Sequence, residues 1–477
     1  MPIHYNHTKI VATLGPASAS PDKMWALVKA GVDVFRLNAS HGTHDDHQQM
    51  IDNIRQMNHE HSTDMPVLLD LQGPKIRIGD LDEDYAVQPG DTFWLCSDLK
   101  QREGDKLPIQ YQTFARDVKA GDPVLVEDGK VKLEVLETDG QKRAKVKVLN
   151  GTRIAKRKGV NLPQTKISLP SLTDKDMSDL MFGIQNQVEW LALSFVRSAE
   201  DVLLLKQVLQ EAGSKSRIIS KIEKPEAVQD IDRIISASDA IMVARGDLGV
   251  EIPIERVPFE QKRIIKKCNA AAKPVIVATQ MLESMIESAH PTRAEATDCA
   301  NAVLDGADAL MLSGETSVGE HPVLVIETMR GIIEMAEKEE VTYMRNMRVN
   351  PDSRTYESDV VCMSAVQMAD SLKANAIAAM TNSGYTAFQL SRHRPPCNIF
   401  IFTDQRPLIK ALSLVWGVRA FYYDGFESTD STIADVIDIL EQNGCVKDGD
   451  IVINAASMPL HARKRTNMIK FSVVGDA

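Results

Sequence analysis

The 477-residue sequence has no apolar stretch near the roughly 18 residues that a membrane helix needs, and it begins without a basic and then apolar leader. We therefore expect a cytoplasmic protein that does not bind membranes. Basic residues are outnumbered by acidic ones, 55 against 66, and the net charge of −11 disfavours nucleic-acid binding. Six scattered cysteines without a C-x-x-C spacing argue against a zinc site or a disulfide framework.

Three nucleotide-binding signatures are also missing. The sequence has no G-x-x-x-x-G-K-[ST] loop, no G-x-G-x-x-G after a strand and none of the protein-kinase motif set. Any nucleotide must therefore be held in another way. What is present is an ordinary globular composition, 43% hydrophobic and 25% charged, in a chain long enough for about three domains.

Eight short apolar runs alternate with segments of helical periodicity. Continuously apolar runs are typical of parallel strands that helices cover on both faces. The sequence therefore predicts a (β/α)8 barrel. The runs are 9–15, 33–40, 67–72, 190–196, 217–223, 240–248, 274–281 and 309–316.

Nearly every run ends in polar or charged residues, and barrels of this kind carry their catalytic groups on that rim. Lys221 and Glu223 are two apart on one strand, so they face the same side, and Asp247 ends the next run. Two carboxylates from neighbouring strands suit Mg2+, and the lysine would face a bound anion. A structural ion network is the alternative that spacing leaves open. The rim residues are Arg36, Asp70, Ser194, Lys221, Glu223, Arg245, Asp247, Thr279 and Glu315.

Two further units interrupt and follow the barrel. More than a hundred residues separate the third run from the fourth, and this insert alternates apolar with charged residues around Asp128-Gly129 and Asp139-Gly140 turns. We expect a small antiparallel β domain over 77–166, inside a barrel domain of 1–76 and 167–343. Alternating strands and helices over 344–477 predict a second α/β domain with an open, doubly wound sheet.

Several segments resemble those of pyruvate kinases, in the same order and over essentially the whole chain. They are TKIVATLGP from residue 8, FRLNASHG from 35, DLQGPKIR from 70, SKIE from 220, MVARGDLGVE from 242, ATQMLESM from 278, PTRAE from 291 and MLSGET from 311. The resemblance implies an enzyme that transfers the phosphoryl group of phosphoenolpyruvate to ADP, giving pyruvate and ATP, with Mg2+ or Mn2+. It also implies a homotetramer, a β-barrel lid in the insert and a regulatory C-terminal domain.

The resemblance assigns roles to rim residues. Glu223 and Asp247 would hold the Mg2+, Lys221 would stabilise the transferring phosphoryl group, and Thr279 would lie beside the enolate carbon. Arg36 and Arg77 would add positive charge around the phosphates. The substrate-binding positions are Arg36, Lys221, Gly246, Asp247 and Thr279, and the nucleotide-binding positions are Asn38, His41, Arg77, Asp128 and Lys158.

Many relatives require K+, held by oxygens at positions that match Asn38, Ser40, Asp70 and Leu71. An acidic residue near that site in those relatives is replaced here by Lys75. Its ammonium can supply a fixed positive charge, so we expect no K+ requirement. The alternative is a surface lysine paired with Asp70.

A second candidate site opens a predicted helix in the C-terminal domain. Its backbone amides and hydroxyls suit a phosphate, and it resembles the family's effector loop. The basic segment 461–467, where many relatives have a glycine-rich loop, disfavours fructose 1,6-bisphosphate, so we expect another phosphorylated sugar or a nucleoside monophosphate. A simple helix cap is the alternative. The loop is Thr381-Asn382-Ser383-Gly384-Tyr385-Thr386.

Two other functions are compatible with a barrel rim of this kind. One is a Mg-dependent aldolase or lyase acting on pyruvate or oxaloacetate, which needs neither the insert nor the Asp-x-x-Gly-Pro-Lys segment. The other is an inactive scaffold, against which the intact Lys221, Glu223, Asp247 and Thr279 argue. A coupled assay with phosphoenolpyruvate, ADP and Mg2+ separates the three.

Overall fold

Three parallel strands and two helices open the chain. The computed structural model describes residues 6–339, 343, 348–426, 428–458 and 465–476. Thr43 caps the second helix, because its hydroxyl accepts from the Asp46 amide while the Asp46 carboxylate accepts from the Thr43 amide. The elements are β1 (Lys9–Thr13), α1 (Pro21–Ala30), β2 (Val34–Asn38), α2 (His44–His61) and β3 (Val67–Asp70).

The insert forms a separate β unit, which we call the lid. Its elements are β4 (Ile76–Arg77), β5 (Tyr85–Ala86), β6 (Thr92–Cys96), β7 (Lys106–Pro108), α3 (Phe114–Asp117), β8 (Pro123–Val126), β9 (Val131–Thr138), β10 (Arg143–Asn150), β11 (Arg153–Ile154) and β12 (Gly159–Asn161). Seven strands form one sheet in the order β4-β12-β8-β9-β10-β6-β7, and β5 pairs with β11.

The lid sheet is antiparallel except between β6 and β7, which run parallel. Its outer strands meet, because the Gly79 amide donates to the Pro108 carbonyl over 2.8 Å and the Gln110 amide donates to the Arg77 carbonyl over 2.8 Å. The sheet therefore closes on itself, which confirms the predicted β-barrel.

The hairpin turn predicted at Asp128-Gly129 joins β8 to β9, and both residues have positive φ, 54° and 83°. At the other end of the sheet, Ile76 pairs with Val160 of β12, although the sequence analysis left Ile76 with the barrel. The domain boundaries themselves remain a prediction.

After the lid the chain completes the barrel. Its strands close in the order β1-β2-β3-β13-β14-β15-β16-β17, all parallel, which confirms the (β/α)8 prediction. The elements are α4 (Asp174–Gln185), β13 (Trp190–Leu193), α5 (Ala199–Glu211), β14 (Arg217–Ile222), α6 (Pro225–Gln229), α7 (Ile231–Ala237), β15 (Ala240–Ala244), α8 (Arg245–Glu251), α9 (Val257–Ala270), β16 (Val275–Ala278), α10 (Arg293–Asp305), β17 (Ala309–Leu312), α11 (Gly314–Ser317) and α12 (Pro322–Ala336), with short 3-10 turns at Ile254–Arg256 and Glu283–Ile286.

Two predicted strands end earlier than their apolar runs. The run 240–248 divides into β15 and α8, so Asp247 lies in the first turn of a helix instead of on a strand. The run 309–316 likewise divides into β17 and α11. A polar end on a strand and a polar helical turn directly after it give the same sequence pattern, which is why the prediction merged the two elements.

The C-terminal part is an open sheet with helices on both faces. The order is β20-β19-β18-β21-β22, and the edge strand β22 runs antiparallel. α13, α14 and α15 cover one face and α16 the other, which confirms the doubly wound prediction. The elements are α13 (Tyr356–Leu372), β18 (Ala376–Met380), α14 (Tyr385–Arg392), β19 (Asn398–Thr403), α15 (Arg406–Leu412), β20 (Val418–Tyr422), α16 (Thr429–Gln442), β21 (Ile451–Ala456) and β22 (Met468–Val473).

This sheet unit packs against the N-terminal face of the barrel, opposite the predicted site. Leu414 joins the buried cluster inside the barrel. Arg394, 1% exposed, donates to Asp308 Oδ1 over 3.0 Å, to Asn269 Oδ1 over 3.1 Å and to the Gly306 carbonyl over 2.8 Å. One guanidinium thus holds three barrel residues to the C-terminal unit. In the part of the chain that the model covers, no helix meets the length and hydropathy of a membrane span.

We predict that Arg394→Met lowers the stability of the junction by about 3–5 kcal/mol, because it leaves the Asp308 carboxylate buried without its partner. The midpoint of urea unfolding, followed by tryptophan fluorescence, measures the change. Arg153→Met is the matched control, since Arg153 and its partner Asp84 are 65% and 42% exposed and such a pair contributes less than about 1 kcal/mol. Equal midpoints for the two variants would contradict the prediction.

Candidate active site

A buried carboxylate, Asp70, stands at the centre of the barrel rim. It ends β3, between β2 and β13 in the closed sheet. Arg36 of β2 donates to its Oδ2 from Nε over 2.8 Å and from Nη2 over 2.7 Å, and Lys221 Nζ of β14 lies 3.2 Å from its Oδ1. Burial alone would raise the pKa of Asp70. The charges of Lys221 and Arg36 outweigh this effect and lower that pKa below its usual value. The structure thus brings together Arg36 and Lys221, two cations that were predicted to contact the phosphoryl groups.

Lys221 lies among anions and a hydroxyl. Its Nζ is 3.0 Å from Glu223 Oε1, 3.2 Å from Asp70 and donates to Ser194 Oγ over 2.7 Å. Burial alone lowers the pKa of Lys221, but the carboxylates of Asp70 and Glu223 outweigh it and raise that pKa above its usual value. Lys221 therefore holds its positive charge at every physiological pH.

Glu223 and Asp247 form the predicted carboxylate pair. Glu223 Oε2 accepts from the Phe195 amide over 2.7 Å, while Oε1 accepts no aligned hydrogen bond and has only the ion pair with Lys221. Burial raises the pKa of Glu223, Lys221 opposes this, and the charge of Asp247 raises it further. Two neighbouring carboxylates repel each other, so this arrangement favours a shared cation.

The donor set fits Mg2+, which takes one or two protein carboxylates and completes its coordination with water and substrate oxygens. Asp247 is 25% exposed at the mouth of the barrel, and Glu223 keeps an oxygen free of hydrogen bonds. No cluster of three His, Cys, Asp or Glu side chains suited to a metal occurs among residues described by the model. The site would therefore need ligands from the substrate.

Thr279 follows β16 in a strained conformation. Its φ is +71°, which is rare for a β-branched residue. The Gly246 amide donates to Thr279 Oγ1 over 2.7 Å, and Arg245 Nη2 donates to the Thr279 carbonyl over 2.8 Å. These bonds fix the threonine hydroxyl beside the first turn of α8, where Asp247 lies.

The predicted nucleotide positions lie in two groups. On the barrel, Asn38 Oδ1 accepts from the Ser40 amide over 3.1 Å and His41 is exposed. On the lid, the exposed Asp128 occupies the β8–β9 turn, and Lys158 pairs with Glu127 at 3.3 Å.

Arg77 stands where the lid begins, and its Nη1 donates to the Arg157 carbonyl over 3.1 Å. Arg77 and Lys158 therefore both have partners inside the lid. A nucleotide that contacts all the predicted positions would have to span from the lid to the barrel.

Lys75 points into the barrel mouth. Its Nζ lies 3.6 Å from Asp247 Oδ1 and 6.0 Å from the centre of the Phe195 ring. The surface pairing with Asp70 that the sequence left open is wrong, because Asp70 Oδ2 is occupied by Arg36 and Oδ1 by Lys221. The ammonium therefore lies within the predicted substrate site.

The predicted effector loop lines a cavity of about 670 Å3 in the C-terminal unit. Gly384 has φ +87°, and a Cβ there would lie 2.9 Å from Leu408, so glycine is required. The Tyr385 hydroxyl donates to Thr355 Oγ1 over 2.6 Å. Residues 461–464 of the basic segment lie outside the described residues. The cavity is lined by Thr355, Met380, Thr381, Asn382, Ser383, Tyr385, Thr386, Asp404, Asp424, Phe426, Ser457, Arg465 and Thr466.

Some of the site's key contacts were not predicted. The sequence assigned Asp70 only to the cation pocket, whereas the structure makes it the common partner of Arg36 and Lys221. Ser194, noted only as a strand end, donates to the Leu71 carbonyl over 2.7 Å and accepts from Lys221. Its place at the end of β13 was the available signal, since rim residues of adjacent strands converge.

Comparisons with known proteins agree with this geometry. The family model described as pyruvate kinase, barrel domain, matches residues 5–326, and the model for the pyruvate kinase alpha/beta domain matches 359–471. The chain belongs to the pyruvate kinase family. Nothing in the comparisons supports the aldolase or lyase alternative.

Named relatives extend over the full length of the chain. It is 41% identical over 473 residues to the pyruvate kinase of Clostridium acetobutylicum and 43% over 470 to that of Corynebacterium glutamicum, covering 98% of this chain and 99% and 98% of theirs. A solved pyruvate kinase from Cryptosporidium parvum superposes with a TM-score of 0.90 at 34% identity, covering 98% of this chain and 96% of that one.

Membership of the pyruvate kinase family settles the reaction class. This chain is a glycolytic phosphotransferase that transfers the phosphoryl group of phosphoenolpyruvate to ADP, as the sequence predicted. Pyruvate kinases generally use Mg2+.

Proposed function

We propose that Lys221, Arg36, Glu223, Asp247 and Thr279 carry out the pyruvate kinase reaction in this chain. The observation that supports this most is Lys221, whose side chain is 12% exposed and is held 3.2 Å from Asp70 and 3.0 Å from Glu223 at the barrel mouth. Phosphoryl transfer depends chiefly on positioning and on fixed positive charge around the phosphoryl oxygens.

In this proposal the phosphoryl group binds against Lys221 and Arg36. A terminal oxygen of ADP forms a bond to phosphorus while the bond from phosphorus to the enol oxygen breaks, which leaves the enolate of pyruvate. Glu223 and Asp247 would hold Mg2+, which when bound neutralises charge on the substrate carboxylate and phosphoryl oxygens. Lys221 and Arg36 stabilise the charge that spreads over the transferring group.

The enolate must then gain a proton on its carbon. The Thr279 hydroxyl is fixed by the Gly246 amide at 2.7 Å, and we place the substrate between this hydroxyl and the carboxylates. Glu315 lies behind this region, where it accepts from the Ser313 amide over 2.7 Å and burial raises its pKa. Thr279 therefore orients the proton delivery, with water as the carrier.

Lid closure would complete the nucleotide site. Arg77 and Lys158 would approach the ADP phosphates from the lid, and Asp128 would lie near the nucleotide. Asn38 at the end of β2 and His41 in the β2–α2 loop would approach the nucleotide from the barrel. Closure also removes water that would otherwise accept the phosphoryl group.

We predict that Lys221→Met lowers kcat by at least about a hundredfold, because a preorganised charge on a developing transition state commonly contributes ~3 kcal/mol or more. A lactate dehydrogenase-coupled assay with phosphoenolpyruvate, ADP and Mg2+ measures it. Lys373→Met, at a side chain that is 82% exposed, is the matched control and should keep normal rates. Near-normal turnover by the Lys221 variant would refute the assignment.

We also propose that this enzyme works without K+. Lys75 places an ammonium 3.6 Å from Asp247 at the barrel mouth. It follows Asp70 and Leu71 in the chain, and these two residues with Asn38 and Ser40 match the K+ site of other pyruvate kinases. A fixed cation at this position orients the phosphates without an added ion.

The expected rate with Na+ or tetramethylammonium as the only monovalent cation equals the rate with K+. Lys75→Glu should lower the activity measured in Na+. Part of that activity should return in K+, because a carboxylate at this position attracts a cation. Lys130→Glu, at an exposed side chain of the lid, makes the same change of charge and is the control. Its rate should be the same in Na+ as in K+. A wild-type rate that collapses without K+ would exclude the proposal.

The loop 381–386 is proposed as an effector site for a phosphorylated sugar or a nucleoside monophosphate. The amides at the start of α14 and the hydroxyls of Thr381 and Ser383 suit a phosphate. Asp404 and Asp424 line the same cavity and suit ligand hydroxyl groups, and Phe426 offers an apolar wall.

The test compares half-saturating phosphoenolpyruvate with glucose 6-phosphate, ribose 5-phosphate or AMP present. At least one is expected to lower it severalfold, and Ser383→Ala should weaken that response because a phosphate contact is lost. Glucose, ribose and adenosine are the unphosphorylated controls. If no phosphorylated compound alters the kinetics, the site is a helix cap only.

We propose a homotetramer in the cytoplasm, divided into the predicted domains. Two exposed apolar regions support self-association. One is formed by Ile254, 70% exposed in the 3-10 turn before α9, and Phe259, 74% exposed in the first turn of α9; the other is Phe471, 56% exposed on the edge strand β22. Exposed apolar patches and uncovered sheet edges are common sites of subunit contact.

A further inference from the structure

Both connections between the barrel and the lid contact α8, the helix that carries Asp247. On the outgoing connection, Lys75 Nζ lies 3.6 Å from Asp247 Oδ1. On the returning connection, Asn161 Nδ2 donates to Glu251 Oε1 over 2.8 Å. Asp247 and Glu251 are four residues apart, so they lie on one face of the helix. The lid is thus joined to α8 at two points on that face.

The contact at Glu251 is deeply buried. Asn161, Lys224 and Glu251 are 6%, 6% and 4% exposed. Lys224 Nζ lies 2.6 Å from the same Oε1 that accepts from Asn161, and Oε2 is buried without a hydrogen-bond partner. A buried carboxylate with so few donors is destabilised when one of them leaves. Movement of Asn161 and movement of α8 are therefore linked.

Lys224 extends the contact to the other carboxylate of the proposed metal pair. It directly follows Glu223 at the end of β14, and it reaches across to the end of α8. The Glu251 carboxylate therefore joins three segments: the returning strand of the lid, the segment of Glu223 and the helix of Asp247. The three bonded residues, Asn161, Lys224 and Glu251, are not the proposed metal ligands, so they would act by position.

We propose that Asn161, Glu251 and Lys224 are positioning residues that couple the orientation of the lid to the spacing of Glu223 and Asp247. The inference rests on the proposed function, in which these two carboxylates hold the divalent cation. When the lid strand β12 is seated, the Asn161 amide fixes Glu251, which holds α8 and β14 together. When that bond is lost, α8 is free to shift relative to Glu223, and the divalent site loosens.

The test measures Mn2+ binding to the full enzyme by electron paramagnetic resonance of the free ion, without phosphoenolpyruvate or nucleotide. Asn161→Ala should weaken Mn2+ binding about tenfold, the lower end of the effect typical for residues that support metal ligands from outside. Asn161→Asp, which keeps the size but replaces the donor with an acceptor, should do the same. Asn150→Ala, at an exposed asparagine ending β10, is the matched control and should bind as wild type.

A double-mutant cycle shows whether the effect passes through Glu251. The losses in Mn2+ affinity for Asn161→Ala and Glu251→Ala should combine to less than their product, because both remove the same bond. In steady-state kinetics the Asn161 variants should raise the half-saturating Mg2+ more than they lower kcat at saturating Mg2+. Thermal melting of each variant separates a lost contact from general unfolding.

Glu223→Gln is the reference arm. If Glu223→Gln weakens Mn2+ binding and Asn161→Ala does not, the coupling is wrong while the proposed metal site stands. If Glu223→Gln binds Mn2+ as wild type does, the metal assignment is wrong and the coupling falls with it. A lower melting temperature for Asn161→Ala with unchanged Mn2+ affinity would show a merely structural bond and overturn the proposal.

Discussion

The charge of Lys221 inside the barrel mouth is the constraint on which the rest of the site depends. Holding an ammonium away from bulk water costs several kcal/mol unless anions compensate it, and Asp70 and Glu223 supply them at 3.2 and 3.0 Å. Asp70, itself 1% exposed, then needs Arg36. Arg36, Asp70 and Lys221 must therefore stand near the ends of three strands of one closed sheet, β2, β3 and β14. This mutual requirement explains why the charges sit on rigid strand ends and not on loops.

The same reasoning accounts for the lid. Glu223 and Asp247 remain only partly compensated, since Lys221 already serves Asp70 and Lys75 lies at 3.6 Å. A site prepared for charged substrates works best when water is absent, because fixed charges act more strongly in a low dielectric. In the proposed mechanism the lid covers the barrel mouth, because the barrel cannot exclude water from it. A small closed β-sheet suits this purpose, because it keeps its shape without packing on the barrel.

The architecture was predictable because its signals are local. Continuous apolar runs gave the barrel strands, the long gap gave the insert, and Asp128-Gly129 gave a hairpin turn. The polar strand ends likewise pointed to Lys221 and Glu223. The side-chain partners were not predictable. No periodicity relates Asn161 to Glu251, which lies 90 residues further along the chain. Nor does any sequence pattern show that Lys75 pairs with Asp247 and not with Asp70. The division of 240–248 into strand and helix was missed because a strand with a polar end and a strand followed directly by a helix give the same sequence pattern at Arg245-Gly246-Asp247.

The placement of the C-terminal sheet completes the physical argument. It lies against the N-terminal face of the barrel, while the proposed catalytic residues lie at the opposite face. Arg217 begins β14 and donates to the Ser383 carbonyl over 3.3 Å, and Lys221 lies near the other end of that strand. A strand bonded on both sides in a closed barrel is stiff along its length. The loop that carries Ser383 therefore contacts the barrel at the base of the strand whose rim holds Lys221, and Arg394 and Asp308 join the two units at the same face of the barrel.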